Sequence, residues 1–548
     1  MIHPPLPPGD LLPRLAGETA LAGAAVKVLA RSGVIRPYAP WTLAALGATL
    51  LRWGTGPAGG FATMALREPR RVALLDERGS LTFGDLHARS NALARGLGEL
   101  GVQAGDSVAV MCRNHRGFVD ATLAVAKLGA DVLYLNTAFA GPQLADVLDR
   151  ERPRLVVLDE EFEGLLPGTR PEQRLLAWTD SGRPEGLTLE ALIAAYPSGD
   201  LRPPDRRPRT VILTSGTTGE PKGAPRGEAG LEAVVAVLDR IPLRFGWTSH
   251  VAAPLFHTWG FAHLSLAMLL GSAVVLRRRF DAAECLGVLE EERCDSLAVI
   301  PVMLQRMLSL PEEVLAEADL SRLKVVAASG SALSGDLAVT WMDRFGDNLY
   351  NIYGSTEVFY ASIATPGDLR AAPTSAGRPP FGTRVRILDH DGHQVPAEHP
   401  GRIFVGNSML FEGYSGGGHK EVVDGLMSTG DVGRFGPDGR LYVEGRDDEM
   451  IVSGGENVFP SEVEHCLARH PAVLEATAVG VADEEFGQRL KAFVAVSDPA
   501  VSEEELKSWV ASHLARYKVP REIVFLDELP RNATGKILKR VLHRDGER

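Results

Sequence analysis

The segment Thr210–Gly223 constrains the fold of this chain most strongly; it reads Thr-Val-Ile-Leu-Thr-Ser-Gly-Thr-Thr-Gly-Glu-Pro-Lys-Gly. Its first residues are apolar or β-branched, a pattern that predicts a buried strand. The rest is rich in glycine and hydroxyl side chains and contains one lysine, Lys222. Glycines let the backbone curl and present successive N–H groups, while the hydroxyls and the lysine add further donors. We therefore predict a polyphosphate-binding loop directly after a strand.

The Walker P-loop, G-x-x-x-x-G-K-[ST], is the first alternative for such a loop. Counting from Gly216, its second glycine would fall at Pro221 and its hydroxyl residue at Gly223, so the Walker pattern fails at both positions. A flexible linker is the second alternative. It is disfavoured because a linker seldom follows a strand this directly or ends in Pro-Lys-Gly.

Length and composition narrow the classes of function. A chain of 548 residues exceeds one ordinary core, so two or more domains are expected. The net charge of −12 argues against a nucleic-acid partner. The four cysteines are scattered without a C-x-x-C spacing, which argues against a disulfide framework or a zinc site and favours the cytoplasm. Residues 1–10 contain four prolines and an acid, unlike a secretory signal.

The N-terminal segment, residues 1–55, differs in character from the rest of the chain. It carries five Lys or Arg residues against two acids, although the chain as a whole is acidic. Leu21, Ala25, Val28 and Leu29 follow a helical spacing. Two hypotheses follow: a helix packs on the main body, or a basic amphipathic segment lies on a membrane surface.

Strands and helices alternate from residue 71 to about residue 205. The pattern predicts strands at Val72–Asp76, Ser107–Cys112 and Leu155–Leu158, and helices at Phe83–Leu100 and Ala121–Leu128. Such alternation is typical of a doubly wound α/β domain.

A smaller unit is predicted after residue 460. The run Ser461–Glu464 has the pattern of a capping box at the start of a helix. Ala476–Ala482 and Leu490–Val496 have the character of strands, and Glu503–Ala515 has that of a helix.

Two further strands are predicted to end at turns that could contact a ligand. Residues 251–260, Val-Ala-Ala-Pro-Leu-Phe-His-Thr-Trp-Gly, place His257 at a turn. His263 follows six residues later, which is not the H-E-x-x-H spacing of a metal site. Residues 324–332 enter a Gly/Ser turn that contains Gly330, and open α/β sheets bind ligands beyond the carboxyl ends of their strands.

The run Leu349–Glu357 ends in Tyr-Gly-Ser-Thr-Glu. The ring of Tyr353 could stack on a purine, and the hydroxyl of Thr356 could donate to a phosphate. The carboxylate of Glu357 is a hard ligand that suits Mg²⁺. Asp431 ends the run Ser-Thr-Gly-Asp, and such a carboxylate can accept both hydroxyls of a ribose.

Together these runs resemble the adenylate-forming superfamily, which includes acyl-CoA synthetases, adenylation domains of peptide synthetases and firefly luciferase. The phosphate loop matches every fixed position of the superfamily pattern T-S-G-T-T-G-x-P-K-G, and the patterns Y-G-x-T-E and T-G-D follow at Tyr353 and Thr429. Residues 445–460 resemble the hinge and pantetheine segment, and residues 531–536 resemble the terminal Gly-Lys motif. The motifs keep the family order over roughly residues 61–540.

The resemblance implies an α/β fold in which a large N-terminal domain of doubly wound sheets is followed by a small, mobile α+β C-terminal domain. It implies an amphipathic extension at residues 1–55, an ATP- and acyl-binding domain at residues 56–446, and the small domain at residues 447–548 with its hinge at Asp448. A Gly-rich run at residues 414–419 has no interpretation from the sequence.

The resemblance also implies roles for individual residues. The implied catalytic residues are His257, Thr356, Glu357 and Lys536. The implied nucleotide- and CoA-binding residues are Thr214, Ser215, Gly216, Thr217, Thr218, Gly219, Lys222, Gly330, Ser331, Ala332, Asn351, Tyr353, Gly354, Asp431, Arg446, Gly454 and Gly455. Thr218 and Glu357 are the implied magnesium ligands.

The implied activity is that of a fatty-acyl-CoA synthetase with ATP, Mg²⁺ and coenzyme A as cofactors. The fatty acid would attack the α-phosphate of ATP to give an acyl-adenylate and diphosphate, and the CoA thiol would then displace AMP. Residues 111–118 and 135–139 resemble actinobacterial fatty-acyl-CoA ligases most closely. We expect a cytoplasmic enzyme with peripheral contact to the inner membrane face through residues 1–55.

Three alternatives are considered. An amino-acid-activating domain carries an acid in an F-D-x-S stretch, whereas residues 259–263, Trp-Gly-Phe-Ala-His, contain none. A β-lactone synthetase, which adenylates a hydroxy acid without CoA, stays open. A non-catalytic membrane-surface protein is disfavoured, because it would be free to lose Lys222, Glu357, Asp431 and Lys536.

Overall fold

The computed structural model describes residues 23–166, 168, 171–181, 185–215, 221–226, 230–415, 417–453, 456–483, 487–532, 535–539 and 541–542. Residues 23–32 are helical. The further α-helices in these ranges are Pro40–Trp53, Pro57–Arg67, Phe83–Glu99, Arg116–Lys127, Gly141–Glu151, Leu189–Ala195, Leu231–Arg240, Thr258–Leu269, Ala282–Glu291, Pro301–Leu308, Glu312–Glu317, Gly335–Phe345, Pro366–Ala371, Pro460–Leu467 and Glu503–His513. Short 3₁₀ helices are Glu160–Leu165, Pro171–Gln173 and Arg516–Lys518.

The described strands form four sheets, of which the first two are mostly parallel. The first sheet has the order Ser362–Ala364, Leu349–Tyr353, Val325–Ala328, Ser296–Val299, Thr248–Val251, Ala273–Val275, Val72–Asp76 and Gly79–Thr82, with antiparallel pairs only at its two ends. The second has the order Arg174–Trp178, Leu155–Asp159, Ser107–Met111, Asp131–Tyr134, Thr210–Ser215 and Pro221–Arg226. Its last pair is antiparallel.

The third and fourth sheets are smaller and mostly antiparallel. The third contains Arg384–Leu388, Gly401–Gly406, Leu426–Phe435 and Val422–Val423 in this order, with Leu441–Arg446 also paired to Leu426–Phe435. The fourth contains Glu456–Val458, Ile451–Ser453, Gly487–Val496 and Val473–Asp483, with Glu522–Phe525 paired to Gly487–Val496. The chain passes from the third sheet to the fourth between Arg446 and Ile451.

The core lies between the two large sheets. Leu74 of the first sheet and Val108 of the second belong to one buried cluster, together with Leu93 and Ala121 of the helices between them. Helices that cover parallel strands in this way make a doubly wound fold, so the predicted α/β class is confirmed.

The predicted helix at Ala121 begins five residues earlier than expected, at Arg116. The ring of His115 caps it, because Nδ1 accepts the backbone N–H of Gly117 at 3.0 Å. Arg116 itself is buried, since its Nε donates to Asp76 at 3.0 Å. The start of the helix was missed because the spacing of apolar residues does not indicate a first turn that contains a charged residue.

The predicted capping box at Ser461–Glu464 is wrong. Pro460 occupies the first turn, and a proline at that position sets the start of the helix. The hydroxyl of Ser461 donates instead to the carbonyl of Glu444. Glu464 accepts hydrogen bonds from the Thr477 hydroxyl and a neighbouring backbone N–H, both at 2.8 Å.

The described part of the N-terminal segment contains two helices with different surroundings. In the first, residues 23–32, Leu29 is 2% exposed, and the carbonyl of Ser32 accepts the N–H of Phe245 at 2.7 Å. The second helix, Pro40–Trp53, buries no residue. None of the helices in the described ranges has both the length and the apolar character that a bilayer crossing requires.

His250 gives the first testable prediction. This residue is 2% exposed on the strand Thr248–Val251, its Nδ1 lies 3.0 Å from the Val275 carbonyl, and burial lowers its pKa to about 4. An unfolded histidine has a pKa near 6.5, so the unfolded chain binds more protons between these values and stability falls as the pH falls. At pH 5 this effect amounts to about 2 kcal/mol.

The variant His250→Asn keeps a hydrogen-bond donor but does not titrate. We expect urea unfolding at pH 7 and pH 5 to show a smaller loss of stability for this variant, by about 2 kcal/mol. The exposed His390 provides the control, because His390→Asn should leave the loss unchanged. An unchanged loss in His250→Asn would contradict the assignment.

Candidate active site

A cleft of about 1730 Å³ lies where the first sheet, the third sheet and the C-terminal segment meet. Its walls include the carboxyl ends of Val325–Ala328 and Leu349–Tyr353, the helix Thr258–Leu269 and part of residues 531–539. Ligands of open α/β sheets bind beyond the carboxyl ends of the strands. The fold therefore places the cleft where a ligand is expected.

Described residues on either side of the predicted phosphate loop border this cleft. The predicted strand is present as Thr210–Ser215, and it pairs with a second strand, Pro221–Arg226, so that Thr214 stands opposite Lys222. The second strand was not predicted because it contains two prolines and a glycine; an edge strand tolerates proline. Lys222 lines the cleft. The side chains of Thr214 and Ser215, and all of Gly216, Thr217, Thr218 and Gly219, lie outside the described part of the chain.

The turn after the strand Val325–Ala328 forms another part of the wall. Gly330 has a φ of +98°, which favours glycine, and Ser331 and Ala332 follow it along the cleft. Asn351 on the neighbouring strand has a buried Oδ1 without a hydrogen-bond partner among the described residues. A buried acceptor left unpaired is costly, so a ligand that brings a donor fits here.

A largely buried carboxylate, that of Asp431, joins several predicted site residues. Its Oδ2 accepts the hydroxyl of Tyr353 at 2.5 Å, and its backbone N–H donates to the Thr429 hydroxyl at 3.1 Å. Arg446 Nη1 lies 3.4 Å from Asp431 Oδ1, and Arg446 Nε donates to Asp448 at 3.0 Å. The predicted ribose, purine and hinge residues thus form one network.

The protonation of this network follows from burial and charge. Burial raises the pKa of Asp431, and the charge of Arg446 opposes the rise. Burial and the neighbouring Asp431 raise the pKa of Tyr353 well above its usual value, so the phenol keeps its proton and donates. Burial acts to lower the pKa of Arg446, but Asp448 and Asp431 outweigh it and the net shift is upward. The guanidinium therefore stays charged.

The turn after the strand Leu349–Tyr353 presents Thr356 and Glu357 to the cleft. A β-carbon at Gly354 would lie 2.2 Å from the carbonyl oxygen of Phe359, so this turn requires glycine. The carboxylate of Glu357 accepts the hydroxyl of Tyr414 at 2.8 Å. Burial, followed by the charge of Glu357, raises the pKa of Tyr414, which therefore acts as the donor.

Glu357 is the predicted magnesium ligand within the described residues. Mg²⁺ is usually held by one or two carboxylates, with waters and substrate phosphates completing its shell. The carboxylate of Glu357 fits this chemistry, because it is 8% exposed, lines the cleft and has Oε1 fixed by Tyr414. Thr218 lies outside the described residues.

His257 directly precedes the helix Thr258–Leu269 and lines the cleft. Its Nε2 is buried and has no hydrogen-bond partner among the residues that the structure describes. Burial lowers the pKa of His257 to about 3, so the ring is neutral near pH 7. It can give or take a hydrogen bond but cannot supply a positive charge. His263, by contrast, has a partner in the Ser249 hydroxyl at 3.2 Å.

Lys536 reaches the cleft from the C-terminal segment. The preceding residue, Gly535, is buried with a φ of +73°, and a β-carbon there would lie 2.5 Å from Val302 Cγ1. The charge of Lys536 lowers the pKa of Asp431, although burial of that carboxylate has the larger effect. Close packing at Gly535 thus accompanies the placement of the lysine near the network.

The structure brings most of the predicted site residues to one place. Those that line the cleft are Lys222, His257, Gly330, Ser331, Ala332, Asn351, Tyr353, Gly354, Thr356, Glu357, Asp431, Arg446, Asp448 and Lys536. Gly454 and Gly455 lie outside the described residues. The sequence analysis missed Tyr414, within the Gly-rich run that had no interpretation, and it included Gly535 in the terminal motif without giving it a role. The fixed spacing of a glycine before Lys536 was the available signal for the latter.

Comparisons with known proteins identify matching family models and relatives. A family model described as AMP-binding enzyme matches residues 61–415, and one described as AMP-binding enzyme C-terminal domain matches residues 462–536. Together they cover most of the chain.

Relatives match over nearly their whole length. An indoleacetate–CoA ligase of Aromatoleum aromaticum is 33% identical, over 86% of this chain and 94% of the relative. A fatty acid–[acyl-carrier-protein] ligase of Streptomyces coeruleorubidus is 30% identical, over 87% and 94%. The crystal structure of an anthranilate CoA ligase with anthranoyl-AMP matches with a TM-score of 0.81 at 25% identity, covering 89% of this chain and 97% of that one.

The contact at Gly535 predicts that Gly535→Ala will loosen the docking of the C-terminal segment. Left-handed backbone at a non-glycine residue costs about 1–3 kcal/mol, and the clash with Val302 adds to this cost. The ion pair Arg469–Asp336, at 3.5 Å, reports docking when both residues are replaced by cysteine. We expect crosslinking of Arg469→Cys to Asp336→Cys by a short bismaleimide reagent to slow about tenfold or more in Gly535→Ala.

The four native cysteines are buried, so they should not compete in this crosslinking measurement. Gly199 provides the control, since a β-carbon there meets nothing within 4 Å and Gly199→Ala should leave the rate unchanged. Equal crosslinking rates in chains with and without Gly535→Ala would show that the packing of Gly535 does not control docking.

Proposed function

This chain belongs to the AMP-binding enzyme family, and we propose that within it the protein is a fatty acid–CoA ligase. It would form an acyl-adenylate from a fatty acid and ATP, release diphosphate, and transfer the acyl group to coenzyme A. Relatives named as CoA ligases support the activity of an acid–thiol ligase. The relative named for fatty acids supports a fatty acid as the substrate.

An apolar wall of the cleft, which we call the acyl branch, supports the choice of a fatty acid. The helix Thr258–Leu269 lines the cleft from its first residue to its last. Its length, at 1.5 Å per residue, is about 18 Å. Phe261, Leu266 and Met268 are among the apolar side chains on this wall, and the neighbouring helix adds Gly60 and Phe61.

The length of this branch favours an acyl chain over a compact aromatic acid. Burial of apolar surface stabilises a complex roughly in proportion to the area removed from water. An extended chain that follows the helix from His257 toward Leu269 buries surface along the whole wall. An aromatic ring beside His257 would contact only its first turns.

The first half-reaction brings a carboxylate to a phosphate, so two anions must approach each other. Lys222 and Lys536 would reduce this repulsion, and Lys536 would bridge the carboxylate and the α-phosphate as charge builds up. Lysine suits this role because it is a compact charge with rotatable donors. The neutral ring of His257 would orient the carboxylate through one hydrogen bond without adding charge.

The nucleotide would be held by the Asp431 network. Asp431 would accept the ribose hydroxyls beside Arg446, and Tyr353 would stack on the adenine. Thr356 would donate to a phosphate oxygen. Gly330, Ser331, Ala332, Asn351 and Gly354 would line the adenine and acyl pockets.

Mg²⁺ is part of this proposal and, when bound, would offset negative charge on the phosphates of ATP. Glu357 and Thr218 would hold it. Tyr414 would fix the carboxylate of Glu357 in place through its hydrogen bond. A ligand fixed in this way loses less conformational entropy when the ion binds.

The second half-reaction requires access for the CoA thiol. We infer that the small domain, residues 447–548, rotates about Asp448 and withdraws Lys536 after the adenylate has formed. Gly454 and Gly455 would then let the pantetheine arm pass close to the backbone. No nucleophilic side chain is needed, because the thiol attacks the mixed anhydride directly.

The proposal also includes the setting of the reaction. Fatty acids partition into bilayers, so we propose a cytoplasmic enzyme in peripheral contact with the inner membrane face through residues 1–55.

The thiol acceptor needs a direct test, because the relative from Streptomyces coeruleorubidus is named for transfer to an acyl carrier protein.

Lys536 provides a test of the mechanism. We expect Lys536→Ala to slow diphosphate release by roughly a factor of 10² or more, because the charge acts as the anhydride forms. The variant should still convert supplied acyl-adenylate and CoA to thioester. Lys507→Ala, which removes a half-buried lysine that pairs with Glu503 away from the cleft, is the control. Equal loss of both half-reactions would contradict the assigned role.

The acyl branch predicts a dependence on chain length. Diphosphate release should rise from short to long saturated acids, and thioester should form only when CoA is added. A β-carbon at Gly60 meets nothing within 4 Å, so Gly60→Phe would project into the cavity. We expect this variant to lose about tenfold or more of the rate with long acids and to keep the rate with short acids.

Gly98 provides the matched control for this experiment. It also lies in a helix with open space at its β-carbon, but it is exposed and does not line the cleft. Gly98→Phe should keep the native profile. A preference for aromatic acids, unaffected by Gly60→Phe, would overturn the fatty-acid assignment while leaving the ligase chemistry intact.

A further inference from the structure

The helix Pro40–Trp53 presents an apolar face to the outside of the molecule. None of its residues is buried, and Trp41 and Leu51 are 76% and 83% exposed. Ala44 and Ala48 are exposed between them. These four residues are spaced three, four and three apart, so they form a single stripe along the helix. We call Trp41, Ala44, Ala48 and Leu51 the outer stripe.

This helix is held in a fixed position although the described residues leave its surface uncovered. The guanidinium of Arg207 donates to the carbonyls of Leu51 and Arg52, each at 3.0 Å, and so satisfies acceptors at the carboxyl end of the helix. A β-carbon at Gly59 would lie 1.9 Å from the carbonyl oxygen of Gly54, which shows how tightly the chain turns into the next helix. The outer stripe is therefore a built surface.

The segment that contains the outer stripe is strongly basic. Residues 23–71 contain seven Lys or Arg residues and one acid, within a chain whose net charge is −12. Lys27, Arg31 and Arg52 are exposed. An apolar stripe in a basic segment complements a surface that has an apolar interior and anionic headgroups. A protein partner would not require this separation of apolar and cationic groups.

The outer stripe also lies next to the acyl branch of the cleft. Thr55 and Gly56, which directly follow the helix, line the cavity, and so do Gly60 and Phe61 of the next helix. The segment that carries the exposed stripe is thus continuous with the wall of the cavity.

We propose that the outer stripe docks the protein on an anionic lipid bilayer, with Trp41 and Leu51 inserted at the level of the headgroups. Residues 23–34 pack on the main body, so contact is made by the second helix and not by the whole N-terminal segment. The proposed fatty-acid ligase activity gives this docking its purpose, because the substrate is concentrated in the bilayer next to the acyl branch.

Co-sedimentation of the full chain with vesicles tests this proposal without an activity measurement. Vesicles of equal parts phosphatidylglycerol and phosphatidylcholine should bind the chain at low salt, and binding should weaken at high salt and with phosphatidylcholine alone. The double variant Trp41→Glu/Leu51→Glu should bind these vesicles more weakly by about tenfold or more, because it places two anions on the stripe. The variant Leu187→Glu/Val422→Glu, which adds two anions at exposed apolar residues far along the chain, is the matched control and should bind as the native chain does.

Each result of this experiment has a defined meaning. The double variant should keep the native rate with a short, water-soluble acid, since neither residue lines the cleft. No binding of the native chain to anionic vesicles, or equal binding by the double variant, would overturn the docking proposal. A change of oligomeric state in the double variant, seen by light scattering, would also overturn it and show that the stripe contacts a second copy. An inactive chain that still binds vesicles through the stripe would instead contradict the proposed function alone.

Discussion

The hydrogen-bonded carboxylate of Asp431 is the interaction on which the arrangement of the cleft depends. A carboxylate removed from water costs several kcal/mol unless it is paired and hydrogen-bonded. Its partners come from separate elements: Tyr353 ends a strand of the first sheet, and Arg446 ends a strand of the third. The cost is offset only when these two sheets stand in their observed positions. Stability and the geometry of the cleft are thus set by the same contacts, and Arg446 extends them to Asp448, where the chain leaves the third sheet.

Several other polar groups of the cleft lack a hydrogen-bond partner, and this arrangement favours the binding of a ligand. His257 Nε2, Thr258 Oγ1 and Asn351 Oδ1 are buried atoms without partners among the described residues, and all three residues line the cleft. Each such group costs about 1–3 kcal/mol when it is left unpaired. A substrate that forms hydrogen bonds with these atoms removes this cost when it binds. Part of the binding free energy therefore comes from groups that folding has left without partners. The neutral state of His257 is suited to this, because an uncharged ring is cheaper to bury.

The sequence predicted the elements whose signal is local. Strands such as Val72–Asp76 and the turns at Gly330 and Gly354 follow from periodicity and from glycine, and the resemblance ordered the motifs correctly. Interactions between distant residues were not predictable in the same way. Tyr414 meets Glu357 across 57 positions, and neither residue type nor spacing indicates that pairing. The early start of the helix at Arg116 likewise depends on a partner, Asp76, 40 positions away.

The contact between Gly535 and Val302 has a consequence for any movement of the C-terminal segment. Repulsion between atoms rises steeply inside van der Waals contact, so a surface with no room for one carbon atom acts as a mechanical stop. Any movement of Gly535 off the stop also moves Lys536, because the lysine is the next residue. Repulsion limits approach from one side only, so the docked arrangement is the closest position that this segment can take against Val302. The depth to which the charged Lys536 enters the cleft is therefore limited by two uncharged residues.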